Sequence, residues 1–204
     1  MHRWVCGNGQ EAFMFHPSRR QCERIARRIA VLALALGLAG CLSPMPLAGF
    51  DAAGPAMRPE QFFAGHTRGW GVVQSRGGRP SRRFTVEGHG RTASDGSFHL
   101  VQTVRWGDGH ETRREWRMIA NGAASYCATL TEAKGPVSAE VRGNVFRLQY
   151  RLASPDVVMV QYLYLQPGGR QLLNTGTVTA IGVPVAQLSE IITRIDDEPV
   201  PAVP

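Results

Sequence analysis

Lysine is nearly missing from this 204-residue chain: Lys134 is the only one, and the basic character rests on arginine. Those arginines are scattered along the chain, whereas a nucleic-acid binder would gather them into a patch or stripe, so no nucleic-acid partner is expected. Cysteine is scarce as well, at four. Cys127 is the only one beyond Cys41, which excludes an internal disulfide there and leaves stability to the core. Between Tyr126 and Ala128 in an apolar segment, Cys127 is expected to be a buried structural thiol. No apolar run approaches the roughly 20 residues of a membrane-spanning helix. No H-x-x-x-H, C-x-x-C, G-x-S-x-G or phosphate-loop pattern occurs, and His66, His89, His99 and His110 stand apart. Neither a metal site nor a cofactor is therefore expected, and no catalytic constellation is evident.

The N-terminus is informative by its order. Arg19, Arg20, Arg24, Arg27 and Arg28 precede the short uncharged run I-A-V-L-A-L-A-L-G-L-A-G (Ile29 to Gly40), which ends at Cys41. A positive block followed by roughly 7–15 apolar residues and a small-residue cleavage site is a secretory signal. The end L-A-G-C resembles a lipobox, in which the cysteine thiol takes a lipid. Residues 1–40 are thus expected to be a lipoprotein signal peptide and Cys41 the lipidation site, with the membrane as a partner through that lipid. Met14 offers an alternative start, and Gln-Cys-Glu after Arg19-Arg20 argues against twin-arginine export. Leu42 follows Cys41 where an Asp would favour inner-membrane retention, so the expected location is the periplasmic face of the outer membrane. Without residues 1–40, 17 basic residues face 14 acids, a net charge of +3.

Residues 41–60 hold Pro44, Pro46, Pro55 and Pro59 and keep no period, as expected of a tether. A flexible chain of this length reaches about 25 Å, at ~5–6 Å times the square root of the residue number. Residues 61–195 read as short alternating strands. Phe84, Val86 and Gly88 share one face; so do Phe98, Leu100, Val104 and Trp106, then Thr112, Arg114, Trp116 and Met118, with Asp108-Gly109 as a hairpin tip. The style continues with Val137, Ala139 and Val141, and across Gly143-Asn144 with Phe146, Leu148, Tyr150 and Leu152. The segment from Val157 to Gln166 is apolar on both faces except at Gln161 and Gln166, and is expected to be the most buried strand. Eight to ten antiparallel strands joined by short turns predict an all-β, up-and-down barrel or strongly curved sheet, with a sandwich as the alternative. Residues 196–204 read as a disordered tail.

The segment F-F-A-G-H-T-R-G-W-G-V-V-Q-S (Phe62 to Ser75), with R-R-F-T-V-E-G (Arg82 to Gly88), Asp108-Gly109, Arg114, Trp116, Gly143-Asn144, Y-L-Q (Tyr164 to Gln166), Leu173-Asn174 and I-G-V (Ile181 to Val183), resembles the bacterial domain-of-unknown-function family 3833. The resemblance covers nearly all of residues 62–194. It implies a lipocalin-like lipoprotein and no particular activity. Val160, Gln161, Ala180 and Gln187 stand where the family carries ionisable residues, so any acid–base role is thinned here.

Polar residues on apolar strand faces are the candidate site, since burial demands partners for them. Gln102, Arg114 and Asn174 qualify. A buried Arg114 must meet an acid, a carbonyl cluster or an anionic head group. With Trp106, Trp116, Tyr150, Tyr162 and Tyr164 they would line a cavity for a hydrophobic small molecule or lipid. Trp70, under Arg194, would close one barrel end by a cation–π contact. The alternative is a filled barrel with a structural role and a protein partner; neither reading is enzymatic.

Overall fold

The computed structural model describes residues 27, 28, 47, 54–152 and 156–195. The chain divides into two units, residues 1–43 and 44–204. Of the first, Arg27 and Arg28 are described, and both are helical. The rest of the expected signal peptide, most of the tether, Cys41 and the tail from residue 196 lie outside the described residues.

In the second unit a helical turn, α1 (Pro59–Phe62), precedes ten strands: β1 (Gly65–Ser75), β2 (Pro80–Thr92), β3 (Phe98–Trp106), β4 (Glu111–Ala120), β5 (Ser125–Leu130), β6 (Val137–Arg142), β7 (Val145–Arg151), β8 (Val157–Leu165), β9 (Gln171–Ala180) and β10 (Val183–Ile195). Each pairs antiparallel with its sequence neighbours, and β1 pairs with β10 from His66↔Ile195 to Ser75↔Ala186, closing the barrel. Closure removes the unpaired edges that an open sheet would expose. The predicted up-and-down barrel is the observed fold. No helix among the described residues is long and apolar enough to cross a membrane.

Alternation places the core. Phe84, Val86, Phe98, Leu100, Val104, Trp116, Met118, Phe146, Leu148 and Tyr150 are buried inside. Short turns hold the register. Gly109 adopts φ 85° at the expected Asp108-Gly109 tip, and Gly143 adopts φ 55° at the Gly143-Asn144 tip, conformations open to glycine without a Cβ penalty.

One end of the barrel is plugged by α1 and its flanks. Pro59 begins the turn, where its missing N–H costs nothing, and Phe62 and Phe63 pack edge to face at 5.0 Å. Met57, though expected in the tether, is buried and donates its N–H to Gly143 O at 2.8 Å. Burial of each such side chain contributes about 1.5–3 kcal/mol. The backbone of Phe63 lies so close to Gly90 that a Cβ there would sit 2.1 Å from its carbonyl oxygen.

This plug corrects the expected closure by Trp70. Residues of β1 with odd numbers (Thr67, Gly69, Gly71) point inward, so Trp70 points out and is 63% exposed. Arg194 does sit at the plugged end, where its Nη1 donates to Gln61 O at 2.7 Å. Cys127 is corrected by the same parity. Its neighbours Ala128 and Tyr126 face inward with Leu130, which turns the thiol outward and exposes it.

Candidate functional site

The apolar interior contains a polar patch at mid-barrel. Adjacent strands β3 and β4 bring Gln102 opposite Arg114, and Trp116 Nε1 donates to Gln102 Oε1 at 3.0 Å. From β7 to β8, the Tyr150 hydroxyl donates to Gln161 Oε1 at 3.3 Å. From β9 to β10, Asn174 Nδ2 donates to Glu190 Oε2 at 2.8 Å. Arg114 Nε lies 3.6 Å from Glu132 Oε1, an ion pair too long for a hydrogen bond. Arg114, Gln102, Gln161, Asn174 and Glu190 face one cavity with Val86, Leu100, Trp116, Leu148 and Leu163.

Among the described residues, two buried side-chain atoms of this cavity's lining have no hydrogen bond: the Arg114 Nε donor, whose contact with Glu132 is only the longer ion pair, and the Asn174 Oδ1 acceptor. An unsatisfied buried polar group costs about 1–3 kcal/mol, so both are poised for an occupant with an acceptor and a donor. Burial pushes the Glu190 carboxyl up from its ordinary value; the Asn174 hydrogen bond and the Arg114 charge pull it back only in part. Burial likewise pushes the Tyr150 hydroxyl up. The raised Tyr150 pKa keeps its hydroxyl protonated and able to donate, and the shift at Glu190 moves its carboxyl toward the neutral form. The cavity measures about 40 Å³. A single water needs roughly 10–15 Å³ on this scale, so a few waters or one small head group fit. Drug-sized ligands occupy pockets of about 300 Å³ or more and would have to displace side chains.

Of the residues expected to line a cavity, the structure brings together Gln102, Arg114, Trp116 and Asn174, with Tyr150 joined through Gln161. It does not bring Trp106, Tyr162 or Tyr164 there. Trp106 stands at the opposite end from α1, against Phe84, with Nε1 donating to Thr112 Oγ1 and the Arg82 guanidinium 3.9 Å from its ring centroid. Tyr162 and Tyr164 occupy outward positions of β8, because Gln161, Leu163 and Leu165 take the inward ones; their rings stack outside at 6.4 Å. The outer side of β8 is accordingly only half-buried at Val158, Tyr162 and Tyr164.

Glu190 and Gln161 are the site residues that strand reading missed. Their signal was present: Glu190 shares parity with Leu188 and Ile192, and Gln161 with Met159 and Leu163. An acid on the apolar phase of a strand is the same clue that singled out Arg114.

A serine–histidine contact on the β2–β3 turn is not a nucleophile–base pair. Ser97 Oγ lies 2.8 Å from His99 Nε2 and 2.6 Å from Asp95 Oδ1. Hydrogen bonds from Ser97 and the adjacent Arg117 hold Asp95 below the usual carboxylate range, so the carboxylate only accepts. The single hydroxyl proton therefore goes to Asp95, and His99 donates to the serine oxygen. This geometry clasps a hairpin turn. No group of metal-ligating residues occurs among the described residues.

Fold and interior together define a lipocalin-like, ten-stranded up-and-down barrel with a polar patch in an apolar lumen. The chain belongs to the family described as "Protein of unknown function (DUF3833)", whose profile matches residues 35–194, in agreement with the resemblance drawn from its motifs. None of the curated proteins compared with it matches. Among solved structures, it is similar to the S-type phycobiliprotein lyase CPES from Guillardia theta at 7% identity, over 70% of this chain and 95% of that one, with a TM-score of 0.55. It is also similar to a protein of unknown function from the DUF3598 family from Nostoc punctiforme, at 13% identity, over 69% of this chain and 50% of that one, with a TM-score of 0.52. At such identities the likeness establishes the fold.

Proposed function

We propose that this chain is a lipid-anchored binding barrel for a small amphipathic molecule whose polar head sits on Arg114, Asn174 and Glu190. The observation that carries the reading is that Arg114 Nε and Asn174 Oδ1, both buried and without a hydrogen bond, belong to residues that line the same cavity as Glu190. Barrels of this size hold one small ligand. The head fills the cavity, and the apolar remainder is seated by movement of side chains lining it. Anchoring is read from L-A-G-C at Cys41. The proposed place of work is the periplasmic face of the outer membrane.

Native mass spectrometry of the protein extracted from its own cells tests the binding. A copurifying species of defined mass is expected, lost in an Arg114→Met, Asn174→Leu variant that remains folded. A barrel that arrives empty overturns it. The small cavity favours a second reading, a filled barrel serving a protein partner, which predicts the empty result. Cys41→Ala tests the anchor separately: the protein should leave the membrane fraction.

A further inference from the structure

The outer surface of this barrel is divided by charge. On β1 to β4 it carries ion pairs, Arg68–Glu87, Arg105–Glu111, Arg113–Glu115 and Arg117–Asp95. On β8, β9 and β10 every outward position is uncharged. The only charged residues in those three strands are Glu190, which faces the lumen, and Arg194, which reaches Gln61 O at the plugged end.

Apolar exposure gathers on and beside the uncharged strands. Among the described residues, six large apolar side chains are exposed, and five of them, Trp70, Leu173, Ile181, Val183 and Val185, lie on β1, β9, β10 or the β9–β10 tip. Trp70 and Leu173 belong to one continuous outer row. Trp70 pairs with Ile191, Ile191 with Leu173 and Leu173 with Tyr164 across four neighbouring strands. Ile181, at the far end, is 84% exposed and holds φ 50°. A β-branched residue in the left-handed region is a genuine outlier that glycine or asparagine would relieve, so an apolar side chain at this tip is kept against its backbone cost.

The occupant follows from where the chain leads. The segment before α1 meets the barrel at Gly143 and Asn144, through Met57 N–H to Gly143 O and the approach of Gly54 to Asn144. The next residue, Val145, pairs with Tyr164. The leash toward Cys41 thus joins the barrel at the border of the uncharged face. A tether of this length holds the domain at millimolar effective concentration near its anchor, so even weak affinity for the anchoring surface suffices. Tryptophan and tyrosine favour the headgroup level of a bilayer, and a face without carboxylates meets no repulsion from anionic lipids.

We infer that the outer face of β8–β9–β10, with Trp70 of β1, lies against the lipid bilayer, so that the barrel rests on its side on the membrane. This rests on the anchoring proposed above and is independent of the ligand.

The test uses the full chain with an N-terminal hexahistidine tag, held on nickel-chelating vesicles of phosphatidylethanolamine and phosphatidylglycerol containing brominated phosphatidylcholine. Tethering then does not depend on Cys41, so failure of docking and failure of lipidation are separable. The difference in emission between this chain and its Trp70→Phe variant isolates Trp70. Bromolipid should quench that component about twofold or more, as for an indole at headgroup depth. Leu173→Glu and Ile191→Glu should each relieve the quenching, and Thr103→Glu on the charged side should leave it unchanged. An unquenched Trp70, quenching indifferent to Leu173→Glu and Ile191→Glu, or a stable dimer that shields Trp70 without vesicles overturns the inference.

Discussion

Gly69 makes room for Glu190. Glu190 pairs with Gly71 across the β1–β10 seam, and its carboxyl reaches over Gly69, where a Cβ would lie 2.9 Å from Oε1. At Gly71 the crowding is more severe: a Cβ would meet Phe84 Cζ and Ser189 O, both at 2.5 Å. The glycines that bracket Trp70 therefore let the seam close over a buried acid.

Gly71→Ala should cost more stability than Gly69→Ala. A carboxylate can swing aside, whereas a backbone carbonyl and a packed ring cannot. Overpacking of this kind costs about 1–3 kcal/mol, and urea unfolding of the two variants should rank them in that order.

Glu190 should make the barrel less stable as pH rises. Its folded-state pKa lies above the ordinary 4.5, so between those values the native state holds a proton that the unfolded state has released, and stability falls with increasing pH. Each tenfold difference in proton affinity corresponds to about 1.4 kcal/mol. Glu190→Gln should flatten the profile of melting temperature above pH 4.5, matching the parent near pH 4 and exceeding it at neutral pH. An unchanged slope would show that Glu190 titrates normally.

Trp116→Phe should destabilise by about 1–3 kcal/mol, because it leaves Gln102 Oε1 buried without its donor. Adding Gln102→Leu removes the orphan. The double variant should therefore be more stable than the sum of the two single changes predicts, and a thermodynamic cycle by denaturant unfolding measures the difference.

Phe63→Ala should loosen the plug, with a loss of about 3–5 kcal/mol as for other buried aromatics. Trp70→Ala, by contrast, should fall within about 0.5 kcal/mol of the parent, as an exposed position does. Thermal unfolding of the two variants distinguishes closure by α1 from closure by Trp70.

Alternation, and with it the barrel, is legible in the residues alone. Phe84-Val86-Gly88 and Phe98-Leu100-Gln102 announce an inward phase because successive strand residues must point to opposite faces. Turn glycines fixed the hairpins, and the same phase marked Gln102, Arg114 and Asn174 as interior. Trp70, Cys127, Tyr162 and Tyr164 belong to the other phase and occupy outward positions. Depth within the lumen is set by how the barrel closes. Strand phase says in or out, but not which layer of the lumen a residue reaches, so the separation of Trp106 from the polar patch, the seating of Glu190 on Asn174, and the plug formed by Phe62 and Phe63 depended on closure of β1 against β10. That closure also gathered Trp70, Ile191, Leu173 and Tyr164 onto one outer face, a row that joins the chain's first strand to its last three.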